Sequence, residues 1–125
     1  MVLDIVSVER NSAMKDRLYL LKPDFLDRGK VYFCPGCAQV EGMFSFYPAL
    51  RERVEVFYID FPRPRPRLAA EIGEENQGCP KLVLGGEHDV PAGVTVAEAK
   101  GRRFISAPLD ICRYLAGAYG VGEPH

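Results

Sequence analysis

The sequence predicts an α/β fold: a mixed sheet with a central parallel pair and helices packed against it. Three observations carry this reading. First, the apolar run Arg17 to Lys22 is followed by a helical stripe and then by a second run, Val54 to Phe61, rich in β-branched and aromatic residues. Strand, helix and strand within about 45 residues make a βαβ unit, whose two strands run parallel. Second, Cys34-Pro35-Gly36-Cys37 stands between the first strand and the first long helix. Third, Pro80 opens another short apolar strand, Lys81 to Leu84.

The elements follow in order. Residues 1–13 read as an extension, either disordered or an added edge strand around Val2 to Val6, because Met14-Lys15-Asp16 resembles a second start. The domain proper is then 14–125. Arg17 to Lys22 is a buried strand stopped by Pro23, and Pro23 to Lys30, with Asp24, Asp27, Arg28 and Gly29, reads as a loop. From Pro35 the period becomes helical: Val40, Met43, Phe44, Tyr47 and Leu50 form one stripe. Pro35 suits the first helical position, and Pro48 ends the helix near Tyr47. Pro62 to Arg67 alternates Pro and Arg and is extended by proline geometry. Leu68 to Glu75 is a helix shortened by Gly73, and Gln77-Gly78-Cys79-Pro80 is a turn. After Lys81 to Leu84 and the Gly85-Gly86 break, Glu87 to Gly101 is a long connection and Arg102 to Ser106 a returning strand. Ser106 is the expected cap of a last helix with Pro108 in its first turn. Leu109, Ile111, Cys112, Leu115 and Ala116 are expected on its core side, with Gly117 or Gly120 at its end. The expected order is β, α, β, α, β, β, α.

With 125 residues, the chain has the size of one domain and can bury a core without disulfides or a structural metal. A net charge of −1 provides no global field to recruit nucleic acid or an anionic membrane. No apolar run reaches the roughly 18 residues of a membrane span. Asp4, Glu9 and Arg10 interrupt the N-terminus, which lacks the pattern of a signal peptide. The expected compartment is the cytoplasm, where structural disulfides are rare, so the four cysteines point to catalysis, metal binding or burial.

A helix N-terminus offers free N–H groups and the positive end of the helix dipole, both of which favour a thiolate. Cys34 is therefore the expected attacking residue, and Cys37, one turn inside, the resolving one. The same spacing also suits half a zinc site, with Cys79 as a third ligand and His88 as a fourth, or an inert pair on a binding scaffold. Arg63, Arg65 and Arg67 follow the second parallel strand, outside whose carboxyl end ligands bind. They either hold a substrate carboxylate or phosphate or form a solvated stiff loop. Gln77 either binds a ligand near Cys79 or satisfies a turn. Glu41 reads either as a surface residue or as one supporting the site from behind, and Cys112 as a buried core thiol.

These residues resemble the thioredoxin superfamily over Met14 to Gly120. Cys34 and Cys37 match its CxxC, and Val54 to Phe61 its central parallel strand. Pro80 matches its cis-proline, which implies that Cys79 and Pro80 present backbone to an extended partner beside the dithiol. Ile105-Ser106 through Ala116 is similar to the last helix of glutathione-transferase N-terminal domains. The stretches CPGCAQVEG and GEENQGCP look closest to an uncharacterised bacterial family of small thioredoxin-like proteins. The resemblance implies a three-layer α/β/α sandwich and a thiol–disulfide oxidoreductase needing no cofactor, with protein or small-thiol disulfides as substrates. Pro35, Gly36, Cys79, Pro80, Gln77 and the three arginines would contact the substrate. The alternatives are a non-enzymatic binding module using the arginines, and a metal or redox sensor using Cys34, Cys37 and Cys79. The departures are the absence of tryptophan, the Pro-Gly dipeptide, and Ala107-Pro108 where transferases hold the γ-glutamyl end of glutathione.

Overall fold

The computed structural model describes residues 14–86 and 88–125. The expected extension at 1–13 lies outside the described residues. The fold is a mixed α/β arrangement with a five-stranded sheet and three α-helices. In chain order the elements are β1 (Asp16–Leu21), β2 (Phe25–Asp27), β3 (Lys30–Tyr32), α1 (Pro35–Phe46) and β4 (Val54–Ile59). They continue with α2 (Pro66–Ile72), β5 (Lys81–Val83), β6 (Ala97–Ala99), β7 (Arg102–Ile105) and α3 (Pro108–Tyr119). Short 3₁₀ turns follow α1 and α2.

The sheet order is β4-β1-β5-β7-β6. β1 and β4 pair in parallel from Asp16↔Val54 to Leu21↔Ile59, and the other pairs are antiparallel. β1 is the central support. Leu18, Tyr19 and Leu20 are all buried because both of its faces are covered, which explains its unbroken apolar run. Leu18 and Leu20, with Leu82 and Ile105, pack on Val40 and Phe44 of α1 and Ile111 and Leu115 of α3. Tyr19, with Val83 and Phe104, packs on Leu68 and Ile72 of α2. Strand alternation thus sends odd and even residues to different helices.

Four expectations are corrected. Pro23 to Lys30 is not a plain loop: β2 and β3 pair as a separate hairpin, Phe25↔Tyr32 to Asp27↔Lys30. Its two turn residues, Arg28 and Gly29, have φ of 52° and 79°, the positive values a tight hairpin turn requires. The connection from Glu87 to Gly101 likewise contains β6, joined to β7 by Lys100 and Gly101 with φ of 52° and 74°. The cap of α3 is Ala107, not Ser106, and no side chain caps it. Pro108 at the first helical position needs no N–H partner, which reduces the demand for a capping oxygen. Leu109 does not face the core; it is 43% exposed, and Tyr114 is buried instead. Gly120 ends α3 in the left-handed conformation.

Candidate functional site

The end of β1 and the start of α1 bring the cysteines together. Cys34 is the N-cap of α1, and its Sγ accepts the Cys37 backbone N–H at 3.2 Å. Pro35 takes the first helical position, and the Ala38 N–H closes the first turn on the Cys34 carbonyl at 3.0 Å. Cys37 is buried, with its Sγ accepting the Leu21 N–H at 3.4 Å. Cys34 stays half-exposed, and its thiol points at the Cys79 carbonyl, 3.7 Å away. The Cys79–Pro80 peptide is cis.

Gly36 explains the dipeptide between the cysteines. A Cβ there would lie 2.9 Å from Cγ of Pro108 and 3.2 Å from Cδ of Pro80. The turn therefore passes between two proline rings, and the residue sets a packing distance rather than contacting open solvent.

A cavity of about 350 Å³ opens beside the pair, lined by Cys34 and Cys37 with Leu21, Pro23, Phe33 and Tyr58. Its walls are largely apolar, and Phe33 at its mouth is 60% exposed. Glu41 also lines it, but its carboxylate is engaged: Tyr58 Oη donates to it at 2.6 Å, and Arg51 pairs with it at 2.6 Å. Burial and Glu41 together push the Tyr58 hydroxyl up in pKa.

Burial also pushes the Cys37 thiol far up, assisted by the neighbouring Cys34. Cys79 is pushed up to about 11 by burial, against the pull of Arg65, Lys81 and Arg63. Both remain thiols at neutral pH. Cys112 lies in the core, and its pKa is likewise raised by burial.

The three arginines separate into different roles. All line a second cavity of about 440 Å³ that shares Tyr58 with the first. Arg65 is buried, however, and its guanidinium donates to the carbonyls of Phe61 and Gln77. Its own N–H is accepted by Gln77 Oε1 at 2.5 Å. Arg65 and Gln77 therefore hold the loop before α2 against the turn before Pro80, rather than offering free groups to a ligand. Arg67 stacks on Phe57, 3.9 Å from the ring centre. Arg63 is exposed. Lys22, in the same cavity, pairs with Asp60 at 3.0 Å.

Among the described residues, no group of three or more His, Cys, Asp or Glu side chains is placed to hold a metal ion. His88 packs edge-on against Tyr119, away from the expected cysteine set. Two participants escaped the sequence reading. Phe33 and the β2–β3 hairpin were missed because the turn signal Arg28-Gly29 was read as a loop.

No curated protein and no solved structure matches this chain. The model of a family described as "Protein of unknown function (DUF3088)" matches residues 15–123, and with nearly the whole described chain matched, the protein belongs to that family.

Proposed function

We propose that this chain is a thioredoxin-like thiol–disulfide oxidoreductase. The observation that carries the reading is the position of Cys34: it caps α1, accepts the Cys37 N–H, and borders an apolar cavity. The cis peptide before Pro80 and the parallel β1–β4 pair support the thioredoxin-like arrangement. In the reaction, the Cys34 thiolate attacks one sulfur of a substrate disulfide. The substrate S–S bond breaks, a mixed disulfide forms on Cys34, and the other sulfur leaves as a thiolate. That thiolate takes the Cys37 proton. The Cys37 thiolate then attacks Sγ of Cys34, forming the Cys34–Cys37 disulfide and releasing the second substrate sulfur, which takes a proton from water. The substrate gains two electrons, and a dithiol reductant restores the enzyme by the reverse exchange.

Burial of Cys37 gives the sequence its order, because a thiol held protonated attacks only once a base has been generated beside it. The test is turnover of a small disulfide with dithiothreitol as reductant. Cys34→Ser is expected to abolish turnover, and Cys37→Ser to accumulate a mixed disulfide visible by mass spectrometry. Unchanged turnover in Cys34→Ser would overturn the proposal.

A further inference from the structure

Two cavities open at the carboxyl ends of the parallel strands, and they share a wall. β1 ends at Leu21 and β4 at Ile59, and the Lys22 N–H meets the Ile59 carbonyl at 2.9 Å just beyond them. Leu21 and Pro23 line the cavity of about 350 Å³ beside the dithiol, Lys22 lines the one of about 440 Å³, and Tyr58 lines both. Open α/β sheets bind ligands at this end, and the larger cavity has the volume of a small-molecule site. Its walls combine apolar surface from Tyr58, Ile59 and three prolines with four cations and one carboxylate. Two of the cations are spent. Lys22 pairs with that carboxylate, Asp60, at 3.0 Å, and Arg65 donates to the carbonyls of Phe61 and Gln77. Arg63 and Arg67 are left. Both are exposed, and among the described residues neither takes part in an ion pair. Glu71, one turn along α2 from Arg67, pairs with Arg17 and Arg102 instead. The Arg67 guanidinium lies 3.9 Å from the ring centre of Phe57, which stacks in turn on Tyr19. Stacking covers the face of a guanidinium and leaves its N–H edge to donate. Pro62, Pro64 and Pro66 restrict the loop and Arg65 pins it, so little ordering cost opposes binding there.

We infer that the larger cavity is a carboxylate subsite, in which Arg63 and Arg67 hold the carboxylate of a low-molecular-weight disulfide whose sulfur reaches Cys34 across Tyr58. The subsite rests on the cavity and its two uncommitted guanidiniums; the placement of the sulfur rests on the oxidoreductase reading. A guanidinium fork matches a carboxylate edge to edge. A singly charged carboxylate also carries a smaller dehydration cost into apolar walls than a phosphate dianion does. The apolar surface of both cavities suits a substrate with an apolar body between its charge and its sulfur.

Two measurements test it. The first is an NMR titration of the reduced wild type with benzoate and with phenyl phosphate, neither of which can exchange with a thiol. Benzoate is expected to shift the amide signals of Arg63, Arg67 and Tyr58 saturably and to bind more tightly than phenyl phosphate. Arg63→Ala and Arg67→Gln are each expected to weaken it by about tenfold or more. No saturable binding of benzoate, a preference for phenyl phosphate, or an affinity unmoved in both variants would overturn the subsite. The second compares the rates at which Cys34 reacts with 5,5′-dithiobis(2-nitrobenzoate), which bears a carboxylate on each ring, and with the neutral 2,2′-dithiodipyridine. Each rate is normalised to that of N-acetylcysteine, and the phase lost in Cys34→Ser is assigned to Cys34. The wild type is expected to favour the carboxylate reagent by about tenfold at low salt, and both arginine variants to bring that ratio close to one. A wild-type ratio near one overturns the placement of the substrate across Tyr58. Binding of benzoate that the arginine variants lose supports the subsite even if Cys34 reacts with neither disulfide, which would sink the oxidoreductase reading alone.

Discussion

Gly36 sits in the first turn of α1, where helix propensity and packing make opposite demands. Propensity alone makes Gly36→Ala stabilising by up to about 1 kcal/mol. The proline rings at 2.9 and 3.2 Å from the added methyl make it destabilising, because rigid rings cannot yield as a flexible side chain would. Overpacking of this kind costs about 1–3 kcal/mol. Urea denaturation of Gly36→Ala is therefore expected to show a lower midpoint than wild type, and a higher one would show that the two prolines move aside freely. The cysteines themselves were legible in the sequence, since a CxxC before an apolar helical stripe has few readings. Gly36 was not, since Pro108 is 72 positions away in the chain and nothing local announces the contact. Arg65 and Gln77 make the same point. Their residue types suit ligand binding, but the fold brings them within hydrogen-bond reach of each other and they satisfy the backbone.

Among the elements, β1 is tied to its surroundings by a buried carboxylate. Asp16 is fully buried and accepts from the N–H groups of Gly85 at 2.8 Å and Gly86 at 3.3 Å, and from Tyr119 Oη at 2.7 Å. One side chain thereby joins the start of β1, the end of β5 and the last turn of α3, at the opposite end of β1 from Leu21, whose N–H meets Cys37. Asp16→Ala leaves three donors without an acceptor and is expected to cost about 3 kcal/mol or more. Asp16→Asn keeps one acceptor oxygen and should lose less. Equilibrium denaturation of the two variants checks both the size and the order, and equal losses would show that the amide cannot serve these donors. Neither the role of Asp16 nor the β2–β3 hairpin was evident beforehand. The hairpin strands are three residues each, too short for alternation to rise above the surrounding loop signals. The longer elements β1, α1, β4 and α3 were visible from periodicity because each buries a face along several residues.

Across the whole molecule, burial raises the pKa of thiols and phenols from several elements. Cys79 is held at about 11 and Tyr19 at about 12, and Cys37, Cys112, Tyr114 and Tyr119 are all shifted upward. An acid whose folded pKa exceeds its unfolded one stabilises the fold fully below the unfolded value, and that stability is lost as pH rises through the folded one. With unfolded values near 8.5 for cysteine and 10 for tyrosine, stability should be level from about pH 6 to 8. It should then fall steadily from about 9 to 12. Guanidinium midpoints of the reduced protein across that range provide the check, and a midpoint unchanged at pH 11 would contradict it. This behaviour belongs to no single segment, because it arises where the two faces of one sheet are closed by helices distant in sequence.

Taken by itself, the sequence determined the class of fold, the position of the dithiol at a helix start, and the parallel pair of β1 and β4. These depend on hydrophobic period and on residues near one another in the chain, and local chemistry is enough to specify them. Only the tertiary structure decided which polar groups are free and which are spent. It consumed Arg65, Gln77 and Glu41 in internal bonds and set Gly36 between two prolines. The reason is physical: hydrogen-bond satisfaction and steric contact depend on distances between segments, which the order of residues does not contain until the sheet and its helices bring them together.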